Sequence, residues 1–369
     1  MRREVLIASF LVILAGAVCA LAAVPQPPSP ETEVTETLGD RFRSHDTEHF
    51  SIFYDTPYET LRPLTARLEG VYNAIERYCA TLDFPIVATQ QRLSIIIFAQ
   101  YEDYAAYAEK AGLSAGGVAG FYNPKTNVAA FVDVLDSPSL RPLHDELKRL
   151  DALLQNQNGP FAAGQPRIDL VNRLMVLRAQ RDALVETFNR VVLQHEAAHQ
   201  VLFNLGVHVH GVRTPLWVVE GLACQFEVPQ SDARGTLKRV NHMRLGDLRE
   251  ALGVERNETG AGTHLQKAVE KGKFLSLGEL LTVEQFPGDQ NHLTAGYSQA
   301  WALVHYLHRQ RPGAFAKYLA VLAARKPGTN ISPTDEIADF EAAFGLADDD
   351  FTKSWLTYML RLRYDPNDR

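Results

Sequence analysis

Val191-Val192-Leu193-Gln194-His195-Glu196-Ala197-Ala198-His199-Gln200 is the stretch on which the reading of this chain turns. In an α-helix, residues four apart lie about 40° from one another around the axis, so His195 and His199 present their imidazoles to one point. Glu196 stands one step round, beside that point but free of it. His-Glu-x-x-His on a helix is the arrangement in which two histidines bind zinc and the glutamate serves as general base. Leu184, Val185, Phe188, Val191, Val192, Leu202 and Phe203 add an apolar stripe at helical spacing, and Gly206 falls where a C-terminal cap belongs. The pattern predicts a mostly buried helix that carries a metal site.

Two histidines leave such a site incomplete, and the next polar group in an apolar run is Glu220. Thr214 as N-cap and Pro215 as first residue start a second helix, Pro215-Leu216-Trp217-Val218-Val219-Glu220-Gly221-Leu222-Ala223. From His199 the first helix has roughly 10 Å left before Gly206, and from Pro215 to Glu220 the second covers roughly 8–9 Å. If the loop Val207 to Arg213 reverses the chain, Glu220 arrives level with His199. Gly221 removes a side chain and lets the two helices approach closely. Two histidines and two glutamates packed between apolar helices without an ion would strand several polar groups, each costing roughly 1–3 kcal/mol.

At these residues the chain resembles the gluzincin metallopeptidases of the peptidase MA type, in which the motif is followed on the next helix by a glutamate ligand within Trp-x-x-Glu-Gly-x-Ala. That resemblance makes His195, His199 and Glu220 the zinc ligands and Glu196 the catalytic base. The chain is most similar to a family of secreted bacterial proteins of unassigned function within that group, domain of unknown function 1570. Ala119-Gly120-Phe121-Tyr122, Gly296-Tyr297-Ser298-Gln299-Ala300-Trp301 and Ala343-Phe344-Gly345 also match it.

The resemblance implies an α+β, gluzincin-like fold: a small mixed β-sheet with helices, a central His-Glu-x-x-His helix and a helical C-terminal subdomain. Its sheet would lie over the cleft, with the edge strand, here Gly120-Phe121-Tyr122, binding an extended peptide; an ordinary hairpin with core aromatics is the other reading. Tyr297, opening a later helix, is the candidate oxyanion donor, with His292 and His242 behind it. Some members carry a ligand-orienting aspartate four residues after the glutamate ligand; here that position is Cys224. Gln200 and Glu227 are the candidates to hydrogen-bond the ligands. The implied activity is that of a secreted zinc-dependent metallopeptidase acting on peptides or proteins through metal-activated water. A zinc-stabilised binding or scaffold protein with the same ligands and no turnover is the alternative from another class.

Upstream, Arg2 and Arg3 precede the apolar run Val5 to Val18, and Ala20-Leu21-Ala22 offers a cleavage site, so residues 1–22 read as a secretory signal peptide and the mature chain as secreted or periplasmic. An uncleaved anchor or a lipid on Cys19 are the alternatives. Residues 23–45, rich in Pro and Glu, read as a disordered linker. Cys79 and Cys224 remain in the mature chain, as buried thiols or as one disulfide.

Residues 46–136 alternate strands and helices: Phe50 to Tyr54, then a helix from Tyr58 to Leu82, a buried strand at Arg92 to Phe98, a helix at Tyr101 to Lys110, and a hairpin around Asn123 to Asn127. Residues 137–183 read as an inserted helical hairpin, a lid or partner arm or an inert insertion, whose second arm is expected to run straight into the 184–230 helix pair. Residues 231–369 read as helices, including Leu237 to Leu252, Tyr297 to Leu307, Phe315 to Ala324, Asp335 to Phe344 and Asp350 to Leu362. His208 and His210 fall in a solvated loop, and His305 and His308 on a helix surface. With 46% apolar and 22% charged residues the composition is that of a soluble protein, and a net charge of −7 argues against nucleic acid or an anionic membrane as partner.

Overall fold

A computed structural model describes residues 38–113, 119–156, 158–161, 163–228, 239–255, 258–286 and 290–365. The signal peptide and most of the 23–45 linker read from the sequence lie outside the described residues, as do residues 237 and 238 of the expected Leu237 to Leu252 helix. Among those described, no helix is long and apolar enough to cross a membrane.

The fold is mixed α+β. Its sheet has five strands: β1 (Arg43–Asp46), β2 (Phe50–Tyr54), β3 (Leu93–Phe98), β4 (Gly120–Asn123) and β5 (Val128–Val132), in the order β1-β2-β3-β5-β4. β3, Leu-Ser-Ile-Ile-Ile-Phe, is buried along its whole length and runs parallel to β2 and β5, as expected for a strand covered on both faces. Those parallel connections are made by α1 (Tyr58–Thr81), and by α2 (Tyr101–Lys110) followed by β4. β4 pairs antiparallel with β5 and forms an edge of the sheet. β1 corrects the sequence reading, since residues 43–45 of the expected linker pair with β2. Their polar sequence, Arg-Ser-His-Asp, carries no apolar alternation, and only the partner strand makes them a strand.

α3 (Arg141–Gln155) and α4 (Gly164–Phe188) form the expected hairpin, with a small core of its own at Leu147, Leu150, Leu170 and Leu174. α4 continues through a π-helical turn, Asn189–Gln194, into the motif helix α5 (His195–Asn204). The chain then forms α6 (Leu216–Gln225), α7 (His242–Leu252), α8 (Gly262–Glu270), α9 (Leu277–Thr282), α10 (Gln290–Gln310), α11 (Pro312–Ala323), α12 (Pro333–Phe344) and α13 (Asp349–Arg361). α8 was not expected from the sequence. α10 is the long axis of the C-terminal half and packs along α6 and α7.

One continuous core runs from the sheet through α5 and α6 to α10–α13. The fully buried Trp217, Trp301 and Trp355 all lie in its helical half. Gly221 allows a close approach, but not the one expected. A β-carbon there would lie 2.6 Å from Val304 Cγ2 and collide with the Ala300 carbonyl, so the glycine seats α6 on α10 rather than on the motif helix.

Candidate metal centre

Three elements build the site. α5 ends as the sequence suggests, with Gly206 at φ +78 and Val207 N–H returning to the Leu202 carbonyl. α6 begins one residue later than expected, with Pro215 as N-cap in extended conformation. The loop between them brings the chain back, and His195, His199 and Glu220 meet. His195 Nε2 lies 3.1 Å from Glu220 Oε2 and 3.1 Å from His199 Nε2, and His199 Nε2 lies 3.4 Å from Glu220 Oε2.

That triangle fits a metal ion on chemical grounds. Bonds of about 2.0–2.1 Å at tetrahedral angles set neighbouring donor atoms about 3.3–3.4 Å apart. The second nitrogen of His195 faces Glu227 Oε1 at 2.8 Å. A carboxylate can only accept, so Nδ1–H donates to Glu227, and with an ion bound Nε2 would present its lone pair to it. A lone pair, a carboxylate and another imidazole nitrogen converging on one buried point select positive charge there. His195, His199 and Glu220 thus form a buried possible metal-binding triad.

The charges around it follow. Burial pushes the Glu220 carboxyl up, but electrostatic attraction toward His199 and hydrogen-bonding contacts with His195 and His199 prevail and hold it at about 2. Burial likewise pushes up Glu227, and Arg244 with His195 brings it down to about 2. Burial lowers the His195 imidazole, whereas contacts with Cys224, Glu220 and Glu227 raise it well above its ordinary value. Glu196 differs from its neighbours: burial raises its carboxyl, and the nearby histidines offset this only in part.

Glu196 is held by the sheet. Its Oε2 accepts the backbone N–H of Tyr122 on edge strand β4 at 2.9 Å, while Oε1 is buried with no hydrogen-bond partner among the described residues. Gly120 makes this approach possible, since a β-carbon there would sit 2.8 Å from Val192 Cγ1 and 2.5 Å from Phe131 Cδ1. On the opposite side, α10 brings Tyr297 edge-on to His195, ring centroids 6.0 Å apart. The centre therefore lies between the sheet's edge and the helical half.

His292 and His242, the other oxyanion candidates, are directed elsewhere. His242 Nδ1 accepts the Asp365 N–H at 3.2 Å, and His292 Nε2 lies beside Gly272. Glu227 supports His195 as expected, but from two residues beyond the end of α6 rather than from its face. Gln200 does not touch the ligands: its amide donates to the Ser94 and Asn127 carbonyls at 3.0 and 2.8 Å, pinning α5 to the sheet. Cys224 Sγ stands 3.9 Å from His195 Nδ1, and both Cys79 and Cys224 are buried free thiols.

His208 overturns its expected solvated setting. It is 1% exposed, neither ring nitrogen has a hydrogen-bond partner among the described residues, and burial brings its imidazole down to about 3. His210 is exposed, as expected of that loop. His305 and His308, expected on a surface, are buried because α10 is enclosed by α6, α7 and α13.

Three supporting residues were not singled out in the sequence reading. Arg244 Nε and Nη2 donate to Glu227 at 2.8 and 2.7 Å, and Asn241 Nδ2 donates to Glu227 Oε2 at 3.1 Å. Gln194 donates to the Phe226 and Val228 carbonyls at 2.7 and 3.1 Å and accepts from Arg67 at 3.0 Å. Only Asn241 left a trace, as the N-cap of α7, where its side chain accepts the Arg244 N–H.

Residues 189–329 match the model of a family described as a protein of unknown function (DUF1570). The matched span begins at the π turn and takes in both helices of the triad, Arg244 and Tyr297; it stops short of Ala119–Tyr122 on one side and Ala343–Gly345 on the other. No curated protein matches the chain.

Proposed function

We propose that this chain is a zinc-dependent hydrolase that cleaves peptide bonds, with His195, His199 and Glu220 holding zinc and Glu196 as general base. The observation that carries this is the triangle of donor atoms at 3.1–3.4 Å with an unligated carboxylate beside it. The sequence resemblance to gluzincins supports the same reading. When bound, zinc supplies Lewis acidity, lowering the pKa of a water to about 7 and polarising a carbonyl.

The side chains then have distinct tasks. Glu196, anchored through Oε2 to Tyr122 N–H, keeps Oε1 for the proton it takes from water and returns to the leaving nitrogen. Glu227 fixes the His195 tautomer and ring plane. The resemblance assigns the β4 edge to an extended peptide and Tyr297 to the oxyanion. Another cluster of metal-type donors, His195, Cys224 and Glu227, gathers at His195 Nδ1 rather than Nε2, so it adds no fourth ligand at the triad.

A zinc-stabilised scaffold with no turnover draws on one observation, the burial of the triad at 0%, 4% and 5% exposure. A peptide-library digest by the zinc-loaded wild type and Glu196→Gln separates the two. The wild type is expected to cleave, and the variant to bind zinc equally but lose on the order of 10²–10⁴-fold in rate. Equal cleavage by both discards Glu196 as base; no cleavage by zinc-loaded wild type leaves the scaffold.

A further inference from the structure

We propose that Arg244 is a positioning residue which ties the support of ligand His195 to the placement of Tyr297, so that metal affinity and the position of Tyr297 depend on one guanidinium. The inference rests on the metal-site reading above and extends it to a helix that contributes no ligand. Arg244 comes from α7 and is 6% exposed. Its fork donates from Nε to Glu227 Oε2 and from Nη2 to Glu227 Oε1. With the His195 Nδ1–H on Oε1 and Asn241 on Oε2, each oxygen of the buried Glu227 carboxylate receives two donors.

The same guanidinium lies over the Tyr297 ring, 5.3 Å from its centroid. Tyr297 in turn stands edge-on to His195, and Phe286 closes its other side at 5.2 Å. Gly296 permits that closure, because a β-carbon there would sit 2.5 Å from the Phe286 ring. His195, Glu227, Arg244 and Tyr297 therefore form a closed circuit of contacts around the ligand. A planar fork can satisfy both carboxylate oxygens while stacking on an aromatic face, whereas the compact ammonium of lysine cannot do both.

The test measures zinc affinity by competition with a chromophoric chelator, the melting temperature of the zinc-free protein, and the visible spectrum of the Co²⁺-substituted protein. The proteins are wild type, Arg244→Lys, Arg244→Met, Glu227→Gln, Tyr297→Leu and the doubles Arg244→Met/Glu227→Gln and Arg244→Met/Tyr297→Leu. Arg244→Met and Glu227→Gln are each expected to weaken zinc binding roughly 10–100-fold, and their double no further than the worse single, because both act through His195. Arg244→Lys keeps the buried charge and the fold, and is expected to lose a smaller factor while shifting the Co²⁺ bands. Tyr297→Leu should shift those bands in the wild-type background and leave them unmoved once Arg244 is methionine. A wild type that binds zinc, with Arg244→Lys and Arg244→Met equal to it in affinity and spectrum, overturns the role of Arg244 alone. Multiplicative losses in the doubles overturn it as well. A wild type that binds no zinc removes the metal site itself, and this inference with it.

Discussion

At the scale of single residues, what separates the parts of this site is the number of partners each side chain has. Glu227 is saturated with donors and can only orient; Glu196 has one oxygen fixed and one without a described partner, and so remains able to accept a proton. Gly221 shows the same logic in the backbone. Any side chain there meets the Ala300 carbonyl, which belongs to the α10 helix and cannot swing aside. Gly221→Ala is expected to destabilise the protein by about 1–3 kcal/mol, read as a lower urea midpoint, and to weaken zinc binding because Glu220 is the preceding residue. An unchanged midpoint would show that α6 and α10 have slack where the packing leaves none.

At the scale of elements, the π turn at 189–194 sets how the motif helix follows the hairpin arm. Each residue advances a helix by about 100°, so the residue inserted in a π turn rotates everything after it by one step. The arm α4 and the motif helix α5 are continuous, and all six residues of the turn are buried. The α3–α4 hairpin has a small core of its own, four leucines outside the main core. Leu174→Ala should therefore cost about 2–4 kcal/mol within the hairpin alone. Hydrogen exchange is expected to quicken in residues 141–180 while protection of α5 and zinc affinity stay as in the wild type. Loss of α5 protection in this variant would mean that the hairpin and the motif helix unfold as one unit.

At the scale of the whole molecule, enclosing α10 buries histidines that titrate freely when unfolded. Burial, aided by neighbouring positive charge, lowers His305 to about 3 and His308 to about 4. An unfolded histidine takes its proton near pH 6.5, so between that value and the folded ones the unfolded chain binds more protons. Their contribution is complete above about pH 6.5 and is lost as pH falls toward 4 and then 3, by up to about 1.4 kcal/mol per pH unit for each histidine. Urea unfolding at about pH 7 and about pH 5.5 should show this loss, and His305→Leu/His308→Leu should flatten it. Parallel pH slopes for the two proteins would refute it.

The sequence alone determined what is local. Helical spacing brought His195 and His199 to one point, the distance bookkeeping across a short loop placed Glu220 level with them, and the hydrophobic periods located most helices and the buried strand β3. These are properties of neighbours in the chain, which periodicity encodes. Only the tertiary structure decided what depends on distant segments. It made a strand of Arg43–Asp46, put Tyr122 N–H on Glu196, turned Gly221 toward α10, gave Gln200 to the sheet and buried His208, His305 and His308. It also supplied Arg244, which no spacing rule could have singled out, because a guanidinium is buried only where the fold provides a carboxylate to meet it, and that carboxylate, Glu227, belongs to another element.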